Sequence, residues 1–171
     1  MLDISADQVK MAQTLAERDN LAIDFHAAHA EEQPFESHTF DVITANQCWL
    51  YFDKSKVIPE VKRLLKPEGV LVTSHFSWLP RVDKIAKASE ELILKHNPQW
   101  SAANYSGEIP AFPSWAVEHF RLKGMFYYDE PIPFSRETWK GRIRACRGVG
   151  AALTEHEVIN FDQEHDTHLK N

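Results

Sequence analysis

Residues that can bind or activate a small molecule follow two short apolar runs of the sequence. The run Phe40–Asn46 ends on an amide, and Gln47 and Trp49 come directly after it. The run Val70–Ser74 is followed by His75. Amide side chains offer hydrogen-bond donors and acceptors without a charge, a histidine can act as a general base, and a tryptophan ring face attracts cations. We therefore predict one site here, with Gln47 and His75 as candidates for catalysis.

The elements that must position these residues form a βαβ unit. Both runs are short, apolar and rich in β-branched residues, which is typical of strands buried on both faces. Between them, Asp53 is predicted to cap a helix that ends near Leu65, with a break at Pro59 and a turn at Pro67–Gly69. The two strands of such a unit are parallel, and side chains past their carboxyl ends meet at one edge of the sheet.

Further strands and helices are predicted on both sides of this unit. Strands are expected at residues 1–4, 23–27 and Met125–Tyr128, from their apolar and aromatic content. Helical spacing and capping residues predict helices after Ser5, over residues 82–96, from Ser135 to Arg147 and from Thr154 to Leu169. Residues 97–124 are rich in proline and aromatic residues and are predicted to form an irregular, lid-like insertion.

The helix predicted after Ser135 carries an unusual charge. Residues 136–147 include five basic side chains and one acidic one. Trp139, Ile143 and Cys146 share an apolar stripe at 100° per residue, and Arg142 lies on one flank of that stripe. The basic residues can form an ordinary solvated face. Alternatively, Arg142 or Arg147, which border the stripe, reaches a cleft and pairs with an anionic substrate.

Composition narrows the class of protein. At 171 residues, the chain fits one domain, and its formal net charge of −6 argues against general nucleic-acid binding. Two cysteines make no disulfide framework, so a cytoplasmic protein is expected. No apolar run approaches a membrane span. We expect a small-molecule substrate, no nucleic-acid or membrane partner, a monomer or homodimer, and no metal site.

Several phrases of the sequence together resemble one enzyme family. These are Ala30–Phe35 (AEEQPF), Phe40–Val42 (FDV) and Leu64–Gly69 (LLKPEG). They are similar to the class I S-adenosylmethionine-dependent methyltransferases of the small-molecule, type 11-like kind, most clearly over residues 1 to 80. The resemblance implies an α/β fold with a Rossmann-like, doubly wound, mostly parallel sheet.

The resemblance also implies a cofactor, S-adenosyl-L-methionine, and residues that bind it. An acidic residue at the end of the first strand holds ribose hydroxyls in this family, and Asp3, followed by Ile4, stands at that position. Ala30 and Glu31 match the border of the adenine, and Asn46 matches the part of the site beside the sulfonium. On the substrate side, the position of Trp49 after the strand and of Arg142 beside the apolar stripe makes these two residues binding candidates, in addition to Gln47 and His75.

One departure from the family concerns glycine. The family carries a glycine-rich turn before the acidic residue, whereas all six glycines of this sequence lie at or after Gly69. We therefore expect a single incomplete domain over residues 1–171 that lacks the first and last strands and includes C-terminal helices over 135–169. Two alternatives stay open: a methyltransferase-like remnant that binds no cofactor, and a dinucleotide-dependent oxidoreductase on a similar fold.

Overall fold

The computed structural model describes residues 1–110 and 112–170. Ala111, inside the predicted insertion, and Asn171 lie outside the described residues. The chain forms two compact units: the first comprises Met1–Phe76 with Ser114–Phe120, and the second comprises Ser77–Pro113 with Arg121–Asn171. The prediction of one domain over residues 1–171 stays a prediction.

The first unit contains all the strands of the described residues. Its elements, in chain order, are β1 (Leu2–Asp3), α1 (Ala6–Arg18), β2 (His26–Ala27), β3 (Phe40–Asn46), α2 (Lys54–Leu64) and β4 (Leu65–Ser74). Two short 3₁₀ turns, Trp49–Tyr51 and Ser114–Ala116, also belong to it. The second unit is helical, with α3 (Lys84–His96), α4 (Arg136–Arg144) and α5 (Glu155–His168).

Strands β3 and β4 are parallel and joined by α2, so the predicted βαβ unit is confirmed. Their ladder pairs Thr44 with Val72 and ends with Asn46 opposite Ser74. The predicted burial of β3 on both faces is wrong, because Ala45 is the one buried residue of the strand and Val42 is 52% exposed. Within the described residues, each strand has one hydrogen-bonded neighbour, which leaves much of the sheet uncovered.

Strands β1 and β2 form a second parallel pair, with Asp3 opposite Ala27. No ladder joins this pair to β3 and β4 in the described part of the chain, so the single continuous sheet that we expected is not observed. Phe35 connects the two pairs instead, since its ring makes edge contacts with His26 at 4.9 Å and Phe40 at 5.2 Å between centroids. The fold class is thus α/β with short parallel sheets.

Two local predictions within the βαβ unit are wrong. Helix α2 continues through Pro59 without a break, because its buried apolar face (Val57, Ile58, Val61 and Leu64) holds it against the sheet. The expected turn at Pro67–Gly69 is a bulge inside β4, between the pairs Phe40–Leu65 and Val42–Val70. Glu68 adopts a left-handed φ of 67° in this bulge.

The second unit has its own core, formed where α3, α4 and α5 pack together. The predicted stripe of α4 is confirmed, since Trp139, Ile143 and Cys146 are buried there. Helices α4 and α5 begin at the predicted caps, Ser135 and Thr154, and Thr154 forms a reciprocal capping box with Glu157. Helix α4 ends at Arg144, three residues before the predicted end, where the chain turns.

The strand predicted at Met125–Tyr128 is wrong. These residues have no regular secondary structure, and Phe126 is 90% exposed. A β-prone sequence forms a strand only where another strand accepts its ladder hydrogen bonds. The described residues offer this segment no such partner.

The basic face of α4 is paired with α5, while Arg136 and Arg144 remain about half exposed to solvent. Lys140 donates to Asp166 at 3.0 Å, Arg144 pairs with Asp162, and Arg136 lies 3.5 Å from Asp166. The partners all belong to α5. Because Asp166 is bonded to Lys170 and Lys140, its pKa is lowered to about 2. The charge of α4 therefore serves packing against α5.

Candidate functional site

The candidate residues of the first unit follow the carboxyl ends of its four strands. Asp3 ends β1, Ala30 and Glu31 follow β2, and Asn46 ends β3. Gln47 and His75 come directly after β3 and β4. Parallel strands collect functional groups at this end. The topology therefore places candidates from all four strands at strand ends of one compact unit.

Asp3 is half-buried, and its Oδ1 accepts the backbone N–H of Ser5 at 2.8 Å. Ile4, beside it, is 67% exposed. Burial raises the pKa of the Cys48 thiol, backbone hydrogen bonding opposes that rise, and the charge of Asp3 adds to it. The carboxylate after β1 thus lies within electrostatic range of the loop that follows β3.

The two amides fix the ends of β3 and β4 to each other. Ser74 donates its hydroxyl to Asn46 Oδ1 at 2.8 Å. The backbone N–H of Gln47 bonds to the Ser74 carbonyl at 2.9 Å, and Gln47 Nε2 donates to the Phe76 carbonyl at 2.6 Å. Gln47 has a left-handed φ of 62°, so the chain turns sharply at the strand end. These contacts keep the side chains of Asn46 and Gln47 at the carboxyl ends of β3 and β4.

Lys54 is a site residue that the sequence analysis missed. Its ammonium donates to the carbonyls of Trp49 at 2.6 Å and Phe52 at 2.7 Å, and it lies 5.4 Å from the Trp49 ring centroid. Burial lowers the pKa of Lys54, while the carboxylates of Glu31 and Asp53 oppose that shift. A cation in the first turn of a helix is unfavourable for the helix dipole, and this was the available signal.

Glu31 and Ala30 hold neighbouring loops together. Glu31 Oε1 accepts the backbone N–H of Asp53 at 3.1 Å, at the cap of α2. The Ala30 carbonyl accepts Gln33 Nε2 at 3.1 Å, and Ala30 packs against the cluster around Trp49. The loops after β2 and β3 are therefore joined at the position where the resemblance expects the adenine.

Trp49 is the centre of an aromatic cluster after β3. It is 7% exposed, and its ring centroid lies 4.8 Å from that of Trp115 and 5.9 Å from that of Phe52. Trp115 in turn contacts Phe120 at 6.1 Å. Sequence reasoning did not bring the 114–120 segment to this position, because its contacts are distant along the chain.

His75 and Arg142 are two further candidates. His75 is exposed, one residue past β4. Arg142 belongs to the second unit, where its guanidinium lies 4.9 Å from the ring centroid of Trp78. Trp78 also donates its indole N–H to Glu90 at 2.6 Å. The roles of His75 and Arg142 stay predictions.

Residues 1–73 match the sequence model of a methyltransferase domain family. This segment is therefore similar to that family, and the match ends at residue 73. The matched residues include β1 to β3, α2 and most of β4, and therefore every candidate site residue of the first unit except His75.

One curated relative matches a longer part of the chain. Phthiotriol/phenolphthiotriol dimycocerosates methyltransferase 1 of Mycobacterium ulcerans (strain Agy99) is 37% identical over 112 residues. That match includes 63% of this chain but only 38% of the relative, so the chain spans well under half of that relative's length. Among the described residues, no helix combines the length and apolar character needed to cross a bilayer.

Comparison with solved structures gave partial matches. The PH0226 protein of Pyrococcus horikoshii OT3 is 29% identical, with 42% of this chain and 35% of that chain aligned and a TM-score of 0.40. A candidate sarcosine dimethylglycine methyltransferase of Galdieria sulphuraria is 20% identical, with 98% of this chain and 62% of that chain aligned and a TM-score of 0.46.

Proposed function

We propose that the protein transfers a methyl group from S-adenosyl-L-methionine to a small-molecule acceptor. The observation that supports this most is the placement of Asp3, Asn46 and Gln47 at the ends of parallel strands in one unit, within a segment that matches the methyltransferase family. We further propose that the fold is an incomplete Rossmann-like domain. On charge and cysteine usage, it acts in the cytoplasm, as a monomer or homodimer, without a nucleic-acid or membrane partner.

The candidate residues at the strand ends of the first unit suit the chemistry of this cofactor. The half-buried carboxylate of Asp3 can accept two hydroxyls of a ribose, and charge-assisted bonds of this kind are the strong ones. Ala30 and Glu31 lie where they can border an adenine. Asn46 adds a polar group that carries no charge of its own beside a cation. When bound, S-adenosylmethionine supplies a methyl group activated by a positively charged sulfur.

The acceptor side of the proposal rests on three residues of the first unit. Gln47 orients the acceptor by hydrogen bonding, and His75 takes up the proton that a hydroxyl or amine acceptor loses. Trp49 forms an apolar wall, and Arg142, which belongs to the second unit, stays a separate candidate for binding an anionic group. Alignment and exclusion of water can provide much of the rate enhancement for such a transfer.

Calorimetric titration with S-adenosylhomocysteine tests the proposal. We expect a dissociation constant in the micromolar range, and an increase in melting temperature on addition of the same compound. A nicotinamide cofactor should give no increase. If no binding of S-adenosylhomocysteine is detected, a methyltransferase-like remnant that binds no cofactor is favoured. The lack of any glycine before Gly69 also supports that alternative. An increase with the nicotinamide cofactor alone would favour an oxidoreductase.

A further inference from the structure

Trp49 carries a buried hydrogen-bond donor that has no partner. Its indole Nε1 is fully enclosed, and the described residues provide no acceptor for it. Native proteins rarely leave such a group unpaired, because its bond to water is lost without replacement. The indole N–H of Trp78, in contrast, reaches a carboxylate. The unpaired donor of Trp49 lies at the end of β3, among the candidate cofactor residues.

The ring of Trp115 packs against the ring of Trp49. It is tilted by 51° to the ring of Trp49 at 4.8 Å, which is closer than the ring of Phe52. Trp115 therefore packs on Trp49 without supplying an acceptor for its N–H. An indole contains no acceptor atom, so the contact fills space and leaves the donor unsatisfied.

The 114–120 segment, which carries Trp115, is held by side-chain packing on the cluster around Trp49 and not by a strand ladder or a long helix. It is a single 3₁₀ turn followed by a short turn, with few hydrogen bonds of its own. The described residues on either side, 97–110, 112–113 and 121–135, form neither helix nor strand. Segments with few ordered contacts open at a low free-energy cost.

We propose that the ring of Trp115 covers a ligand-binding position beside Trp49. In the free protein, Trp115 occupies the position. When an adenosyl ligand binds, the 114–120 segment moves away and the Trp49 N–H donates to an acceptor atom of that ligand. The inference rests on the proposed function, because it takes its ligand from there.

Titration of S-adenosylhomocysteine into three variants tests the inference. Trp115→Ala removes the cover, so the ligand no longer has to displace it, and affinity should rise about fivefold over the unaltered protein. Trp49→Phe keeps a ring but removes the donor, and affinity should fall about fivefold to tenfold. Val117→Ala alters an exposed side chain of the same segment and should leave affinity unchanged.

Hydrogen exchange of the unaltered protein gives a second readout that does not depend on any variant folding. Amides of residues 114–120 should exchange faster once S-adenosylhomocysteine is added. Slower exchange there, or equal affinity in the unaltered protein and Trp115→Ala, overturns the inference while the proposed function stands. If neither the unaltered protein nor Trp115→Ala binds S-adenosylhomocysteine, both the inference and the proposed function are overturned.

Discussion

Asp3 already accepts one backbone hydrogen bond, and the proposed function asks its carboxylate to accept the hydroxyls of a ribose as well. Asp3→Asn keeps an oxygen for the Ser5 N–H and removes the charge. We expect affinity for S-adenosylhomocysteine to fall about tenfold, since a charged acceptor adds about 1.4 kcal/mol or more to such a bond. Calorimetric titration measures this.

A matched control for that variant is Asp7→Asn. Asp7 is an exposed acid in the first turn of α1, and its loss alters the net charge by the same amount. Equal affinities in Asp3→Asn and Asp7→Asn would show that Asp3 does not contact the ligand.

Lys54 is expected to stabilise the aromatic loop that carries Trp49. Lys54→Met keeps most of the side-chain volume but leaves the carbonyls of Trp49 and Phe52 without their donor. We expect a loss of about 1–3 kcal/mol in the free energy of unfolding, measured in urea. Lys56→Met, at a mostly exposed position of the same helix, should change it by less than about 0.5 kcal/mol. Equal losses would contradict the role.

Single residues were predictable from sequence where their role depends on immediate neighbours. The caps Ser5, Asp53, Ser135 and Thr154 are examples, since each bonds to backbone two or three positions ahead. Lys54 and Trp115 were not predictable in this way. Their contacts depend on how the chain folds. Composition alone does not show that the Lys54 ammonium is half-buried, or that the rings of Trp115 and Trp49 are in contact.

Helix α5 is tied to α3 and α4 through a buried histidine. His165 Nε2 contacts Ser89 Oγ at 2.9 Å, and the same hydroxyl accepts the indole N–H of Trp139 at 2.9 Å. Burial lowers the pKa of His165. The charge of Asp162 opposes that shift, His168 and Lys140 add to it, and Asp166 also opposes it.

This arrangement predicts a loss of stability in mild acid. Below the ordinary histidine pKa of 6.5, the unfolded chain takes up a proton that folded His165 does not, so unfolding becomes more favourable as pH falls. Between about pH 7 and 5, we expect His165→Gln to reduce the decline in melting temperature by about one to a few degrees. Carboxylates with lowered pKa, such as Asp166, act at more acidic pH.

The control for this prediction is His156→Gln, which alters an exposed histidine of the same helix. Its melting temperature should decline with acid as that of the unaltered protein does. A decline that is equally steep in His165→Gln would rule out His165 as its source.

The contact between α3 and the turn after α4 requires a glycine. A Cβ at Gly148 would lie 2.7 Å from Ile93 Cγ2 and 2.9 Å from the Trp100 ring. We expect Gly148→Ala to cost about 1–3 kcal/mol in the free energy of unfolding, by overpacking. Gly141→Ala, inside α4 with nothing within 4 Å of its Cβ, should gain about 0.5–1 kcal/mol. Urea denaturation of both variants distinguishes them.

Elements were predictable where the pattern and the fold agree. Clear periodicity and clear caps mark the helices α2, α4 and α5. Clear apolar runs mark the strands β3 and β4. The prediction failed at Met125–Tyr128, where a β-prone sequence has no partner, and at Pro59, where a buried apolar face outweighs one missing hydrogen bond. Both errors arise because pattern reports local preference, whereas the outcome depends on tertiary contacts.

For the whole molecule, the sequence predicted the α/β class and the similarity of residues 1–73 to a methyltransferase domain, but not the division of the chain. The two units each have a core, and the 114–120 segment belongs to the first although its neighbours in the chain belong to the second. Hydrophobic periodicity does not show that a short segment belongs to a different unit from its neighbours in the chain. The candidate residues of the first unit came from strand ends and from the resemblance, and they stay predictions, whereas the contact of Trp115 with Trp49 needed coordinates.

The exposed run Met125–Tyr128 has a consequence for handling the protein. Uncharged, β-prone aromatic segments associate edge to edge between molecules, and flanking charges slow this process. Asp129 and Glu130 supply such charges directly after the run. Concentrated samples should therefore scatter more light with time, and the double variant Asp129→Asn, Glu130→Gln should shorten the lag before turbidity appears.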